Sequence, residues 1–154
     1  MNIRNAGISD AGAIYALINF YAEQEQMLFR SMADIYEKLQ SFLVADSDGR
    51  IVGCCALEII WSDLAEIKSL AVSEADKGTG IGRALVEAAC QRACRLGLPR
   101  IFALTMDSGF FERLGFERID KNALPMKVWG DCARCSKQQN CDETAVIKTV
   151  LRDA

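Results

Sequence analysis

The sequence predicts an α+β fold: a largely antiparallel sheet flanked by helices, with one strand–loop–helix crossover in the middle. Three observations carry this expectation. FLVAD and IVGCCALEII are apolar runs joined by the polar, glycine-containing SDGR, the pattern of a β-hairpin. Residues 80–96 place Ile81, Leu85, Ala89, Ala93 and Leu96 on one helical stripe, with Arg83, Glu87, Gln91 and Arg95 on another face. That helix is entered from the strand-like LAEIKSLAV through a glycine-rich loop and is followed by a further strand, RIFALT.

The other elements follow in order. MNIRNA reads as a first strand. Ser9 or Asp10 can cap a helix through about Glu25, with Ile14, Leu17, Ile18 and Tyr21 as its apolar stripe. Ser31 precedes a second helical stretch, MADIYEKLQ. Gly97 and Pro99 stop the long helix. SGFFERLGFERI reads as a short helix, a glycine stop and a strand. A cysteine-containing loop at about 124–143 precedes a last strand in TAVIKTVL. With no repeat or linker, the 154 residues are expected to form a single domain.

Composition excludes several chemistries. The formal balance is 18 − 21 = −3, so no basic excess points to nucleic acid. The longest apolar run is too short for a bilayer, and the first residues lack the apolar core of a signal peptide. A cytoplasmic protein with mostly reduced cysteines is expected. The chain has no histidine. A Ser-His-Asp triad, a Cys-His dyad, a histidine general base and a histidine metal ligand are all excluded.

The glycines of DKGTGIGRALVEAAC are the main chemical signal. Gly78, Gly80 and Gly82 crowd a helix entrance, where unpaired N–H groups and the positive end of the dipole suit a phosphate. The bland reading is a tight strand-to-helix turn. A P-loop is excluded because no Gly-Lys-Ser/Thr follows, and a dinucleotide fold fits poorly because antiparallel hairpins precede the loop.

Lys77-Gly78-Thr79-Gly80-Ile81-Gly82 resembles the acetyl-CoA pyrophosphate loop of the GNAT acetyltransferases, with Lys77 where the family carries Arg or Gln. Leu70-Ala71-Val72 is similar to the family strand that pairs with the pantetheine arm, and FFERLGFERI to its motif near the C-terminal strands. The likeness runs from about residue 1 to 120. It implies the GNAT fold, acetyl-CoA as cosubstrate, and a cofactor site of Leu70, Ala71, Val72, Lys77, Gly78, Thr79, Gly80, Ile81, Gly82, Arg83 and Phe111. Many members carry a tyrosine at the position of Phe111, which protonates the departing sulfur. Phe111 cannot, but the CoA thiol, with a pKa not far above the ~8.5 of free cysteine, can leave as thiolate with little help, so the site uses water or another hydroxyl, or has no dedicated acid.

The family moves acetyl to an amine without a covalent enzyme intermediate, so the ammonium proton must go to a base or to water. Glu66, on the central strand, is the first candidate. Lys68 shares its face in a regular strand, and an ordinary Glu66–Lys68 ion pair is the competing reading. A bulge, frequent in the family, would turn Ser69 toward the site.

Two further segments, YAEQEQMLFRS and LPMKVWGDCARCSK, resemble bacterial N-acetylglutamate synthases, whose acetyltransferase domain ends in Leu-Pro, a basic stretch and Arg-x-Ser-Lys. That resemblance implies L-glutamate as acceptor, held by Arg30, Arg134, Ser136 and Lys137, with Glu66 and Ser69 near its amine. Arginine is the natural fork for a carboxylate. Longer synthases carry a kinase-like domain for arginine feedback, and regulation through such a domain is not expected here. The rival readings are another small amine or a protein N-terminus as acceptor, and a catalytically dead CoA-binding module. A homodimer stays open.

Cys132, Cys135 and Cys141 have a spacing at which zinc can bind, with Asp131, Asp142, Glu143 or a remote cysteine as the fourth ligand, but free thiols or a redox-sensitive pair are the favoured reading. Cys54, Cys55, Cys90 and Cys94 read as small core residues.

Overall fold

The computed structural model describes residues 1–124 and 143–151. Its elements are β1 (Asn2–Asn5), α1 (Ala11–Ala22), α2 (Met32–Glu37), β2 (Phe42–Ser47), β3 (Arg50–Trp61), β4 (Leu64–Val72), α3 (Ile81–Leu96), β5 (Arg100–Thr105), α4 (Ser108–Glu112), β6 (Glu117–Ile119) and β7 (Thr144–Thr149). The strands form one seven-stranded mixed sheet in the order β1-β2-β3-β4-β5-β7-β6. β4 and β5 are parallel and joined by the α3 crossover, while β1–β2, β2–β3, β5–β7 and β6–β7 are antiparallel. This is the α+β class read from the sequence. Among the described residues no helix is long and apolar enough to cross a membrane.

The chain gathers into two compact units, Met1–Glu58 with Ile67–Arg92, and Ile59–Glu66 with Ala93–Ala154. In the first, the β2–β3 hairpin turns at Asp48 and Gly49, both at positive φ (52° and 87°), and Asp46 accepts the Gly49 N–H at 2.8 Å. Two positive-φ residues match the right-handed twist of the strands. The α1 stripe lies where the apolar spacing puts it: Ile14 and Ile18 are fully buried and Tyr21 nearly so, packed with Ile35, Phe42, Val44 and Cys54. α1 ends at Ala22 rather than near Glu25, which sits at φ 58°.

Asp10 does not cap α1. Its carboxylate accepts the Gly7 N–H at 2.7 Å and both Arg4 nitrogens Nη1 and Nη2, at 2.8 and 3.1 Å. A guanidinium offers two charge-assisted bonds where a helix start offers one neutral donor. Ser31 does cap α2, its hydroxyl accepting the Asp34 N–H at 3.0 Å.

The second unit has its own apolar cluster of Leu64, Phe102, Leu124 and Ala145. Here the end of the α3 stripe needs correction. Leu96 is exposed and Leu98 is buried instead. Gly97, at φ 83°, donates to Cys94 O and Leu98 to Ala93 O, a paired C-terminal cap that folds the chain back and brings Leu98 under the helix end.

Candidate active site

β4 carries the first feature of the site. Within the strand Ser69 stands at φ 54°, a left-handed conformation that a non-glycine residue adopts only when its surroundings hold it there. Its hydroxyl oxygen accepts from Arg30 Nη1 at 3.1 Å. The parallel register of β4 on β5 runs over Leu64–Glu66 against Arg100–Phe102, and β4 itself continues to Val72.

Arg30 is brought to Ser69 by α1. Asn19, buried in that helix, donates Nδ2 to the Arg30 carbonyl at 3.0 Å and accepts the Arg30 N–H at 3.3 Å. This reciprocal clamp satisfies the backbone of a residue that lies outside regular structure. The side chain is only 8% exposed: Nε donates to Asp34 at 2.7 Å, and the guanidinium lies 5.1 Å over the Phe42 ring. Nη1 is also 3.1 Å from Oε2 of Glu58 on β3. Arg30 therefore does not present an open two-pronged fork, because its Nε edge and Nη1 already face Asp34, Ser69 and Glu58. Lys38 and Lys68 complete the cluster, 3.8 and 4.0 Å from Glu58 Oε1.

The glycine loop forms the second feature. A short 3₁₀ turn over Glu74–Asp76 leads into Lys77–Gly80 and then α3. Gly78 and Gly80 have φ of 79° and 86°, and a Cβ at either would meet nothing within 4 Å. Conformation, not crowding, requires glycine there. Alternating positive φ is how successive N–H groups are turned into an anion-binding nest. Ala84 N–H, bonded to Gly80 O at 3.0 Å, makes the first helical bond, so the donors of Ile81, Gly82 and Arg83 precede any helical acceptor. Lys77 Nζ stands 4.6 Å over the Tyr21 ring, and the Tyr21 hydroxyl donates to the Val72 carbonyl. One side chain thus ties the loop to the end of β4. Backbone donors, a helix start and a lysine form a donor set that fits a diphosphate.

The remaining sequence-predicted residues are placed as follows. Glu66, three residues before Ser69 on β4, is 5% exposed. Phe111 is buried in α4, edge-on to Phe110 and Phe116 at 5.1 Å. Arg83 is exposed and pairs with Glu87 at 2.9 Å. Cys54 and Cys55 are fully buried, and burial pushes the Cys54 thiol up to about 12 and that of Cys55 up as well. Neither is a nucleophile at neutral pH. Cys90 and Cys94 are half-buried. Arg134, Ser136, Lys137 and the zinc candidates Cys132, Cys135 and Cys141 lie outside the described residues.

Sequence reasoning missed Asn19, Asp34 and Glu58. The signal was present for two of them: Asn19 is an amide on the buried side of α1, and Glu58 is the one charge in the apolar run IVGCCALEII.

Residues 11–116 match the acetyltransferase (GNAT) family. An uncharacterized N-acetyltransferase of Chlorobaculum tepidum is 45% identical over 148 residues, 96% of either chain. An amino-acid acetyltransferase of Mycobacterium tuberculosis is 40% identical over 135 residues, 86% of this chain and 77% of the relative. The crystal structure of N-acetylglutamate synthase from Neisseria gonorrhoeae, complexed with coenzyme A and N-acetyl-glutamate, superposes with a TM-score of 0.89 at 28% identity, covering 98% of this chain and 35% of that one.

Proposed function

The chain belongs to the acetyltransferase (GNAT) family and is an acetyl-CoA-dependent N-acetyltransferase; from that premise we propose that its acceptor is L-glutamate, acetylated on the α-amine as the first step of arginine biosynthesis. The observation that carries the acceptor reading is Arg30. A buried guanidinium, its backbone clamped by Asn19 and its Nη1 on the Ser69 hydroxyl, is a costly arrangement for a site that takes an amine without a carboxylate. The similarity to an amino-acid acetyltransferase supports it.

When bound, acetyl-CoA supplies the acetyl group as a thioester. In this reading the backbone of Leu70–Val72 would pair with the pantetheine arm, and the donors of residues 78–83, with Lys77, would hold the diphosphate. Glu66 takes the proton from the acceptor ammonium, directly or through a water, which frees the lone pair for attack. Ser69 sits beside the amine, and Arg30 reads the adjacent carboxylate through Nη2, the nitrogen that the Asp34, Ser69 and Glu58 contacts do not engage. Arg134, Ser136 and Lys137 hold the distal carboxylate. With both substrates bound, the freed amine would attack the thioester carbonyl directly, the C–S bond would break with the sulfur leaving as thiolate, and the second N–H proton would pass to that thiolate or to solvent; Phe111 supplies no acid.

An acceptor screen with acetyl-CoA, followed by release of free thiol, tests the reading. Glutamate should exceed aspartate, whose shorter side chain cannot span both contacts, and glutamine, which offers an amide for a carboxylate. Arg134→Ala should raise the glutamate KM by a lost charge-assisted contact of roughly 1.5–3 kcal/mol and leave the acetyl-CoA KM in place. Equal activity on glutamate, glutamine and an unrelated amine would sink the assignment.

A further inference from the structure

Glu58 is a charged residue in the middle of a strand whose neighbours are apolar. Its side chain is 14% exposed. Oε2 lies 3.1 Å from Arg30 Nη1, and Oε1 lies 3.8 Å from Lys38 Nζ and 4.0 Å from Lys68 Nζ. Oε2 is fully buried and makes no aligned hydrogen bond among the described residues. Its hold on Arg30 is therefore Coulombic rather than directional. A carboxylate in that state is a poor device for stability, since an apolar side chain at the same point of β3 would avoid the desolvation altogether. What it does accomplish is geometric. Arg30 comes from the segment before α2, Lys38 follows α2 and Lys68 comes from β4, so one anion draws together cations from three parts of the chain. Nη1, the nitrogen nearest Glu58, is also the one that donates to Ser69.

We propose that Glu58 is a positioning residue of the acceptor site, holding Arg30 and Lys68 where together they read the α-carboxylate of an amino-acid acceptor. This rests on the amino-acid reading above. Glu58 acts through the cations and touches neither substrate. Its removal should weaken recognition of the α-carboxylate and little else.

The test compares wild type with Glu58→Gln, which keeps the shape and removes the charge. Two acceptors are used: L-glutamate, and 4-aminobutyrate, which has an amine and the distal carboxylate but lacks the α-carboxylate. Each is measured as substrate or, where turnover is too slow, as competitive inhibitor. Glu58→Gln should raise the constant for glutamate about tenfold, and shift those for 4-aminobutyrate and acetyl-CoA less than about twofold. A merely structural role would weaken both acceptors together, and that result overturns the proposal. A wild type that does not prefer glutamate over 4-aminobutyrate overturns the amino-acid reading, and the role of Glu58 falls with it. Thermal melting monitors the fold. If Glu58→Gln does not fold, Glu58→Asp makes the same comparison, with the charge kept and drawn back by one methylene.

Discussion

Replacing Gly80 by alanine and, separately, by aspartate divides conformation from charge in the loop ahead of α3. Gly80 sits at φ 86° with no atom within 4 Å of where a Cβ would stand. Alanine therefore meets no clash, and its penalty is the left-handed backbone alone, about 1–2 kcal/mol. In a chain of this size each kcal/mol moves Tm by roughly 2–4 °C, so Gly80→Ala should melt about 2–8 °C lower. Aspartate bears a similar backbone penalty and adds a negative charge beside the N–H groups of Ile81–Arg83. Unit charges about 4 Å apart repel by ~1 kcal/mol in bulk water and ~4 kcal/mol at a surface-like dielectric of about 20. Gly80 is exposed, which favours the lower end. A loss of about 1–2 kcal/mol is a fivefold to thirtyfold weaker Kd for CoA in Gly80→Asp than in Gly80→Ala. Melting followed by circular dichroism gives the first number, and calorimetric titration with CoA gives the second. If the two variants bind CoA equally, the loop is a turn and holds no diphosphate.

Gly53→Ala should destabilise the chain by about 1–3 kcal/mol through overpacking, because its Cβ would lie 3.0 Å from both Ile81 Cγ2 and Leu85 Cδ1; an unchanged Tm would contradict the seating of α3 on β3. Asp10→Asn tests pH linkage. The Arg4 guanidinium holds the Asp10 carboxyl below its ordinary 3.8, so the stability it contributes is present above about pH 4 and is lost as pH falls through the folded-state value. The variant should be less stable at pH 7, by about 1.5 kcal/mol in urea, with the gap closing toward pH 2; a gap independent of pH would refute the assignment.

Much of the fold was legible because its signals are local. Asp48-Gly49 specifies a hairpin by needing two positive φ values in a row, and Ser31 specifies a helix start by reaching a donor three residues on. The glycine loop belongs to the same class: positive φ at Gly78 and Gly80 is a property of the backbone at those positions, and the helix that supplies free donors begins one residue later. The error at Leu96 has the opposite origin. Helical spacing alone continues the stripe, whereas the cap at Gly97 hands the buried place to Leu98.

By itself the sequence determined the class of the sheet, the crossover, the glycine turn ahead of α3 and the exclusion of all histidine chemistry. Only the tertiary structure decided what surrounds Arg30. The partners of that guanidinium lie on separate elements, Ser69 being 39 residues away and Asn19 eleven. Neither a period of two nor one of 3.6 encodes such distances. Glu58 in an apolar strand and Asn19 in an apolar helix read as irregularities until packing brings them together. A buried charge must find partners wherever the fold supplies them, because no solvent is there to take their place.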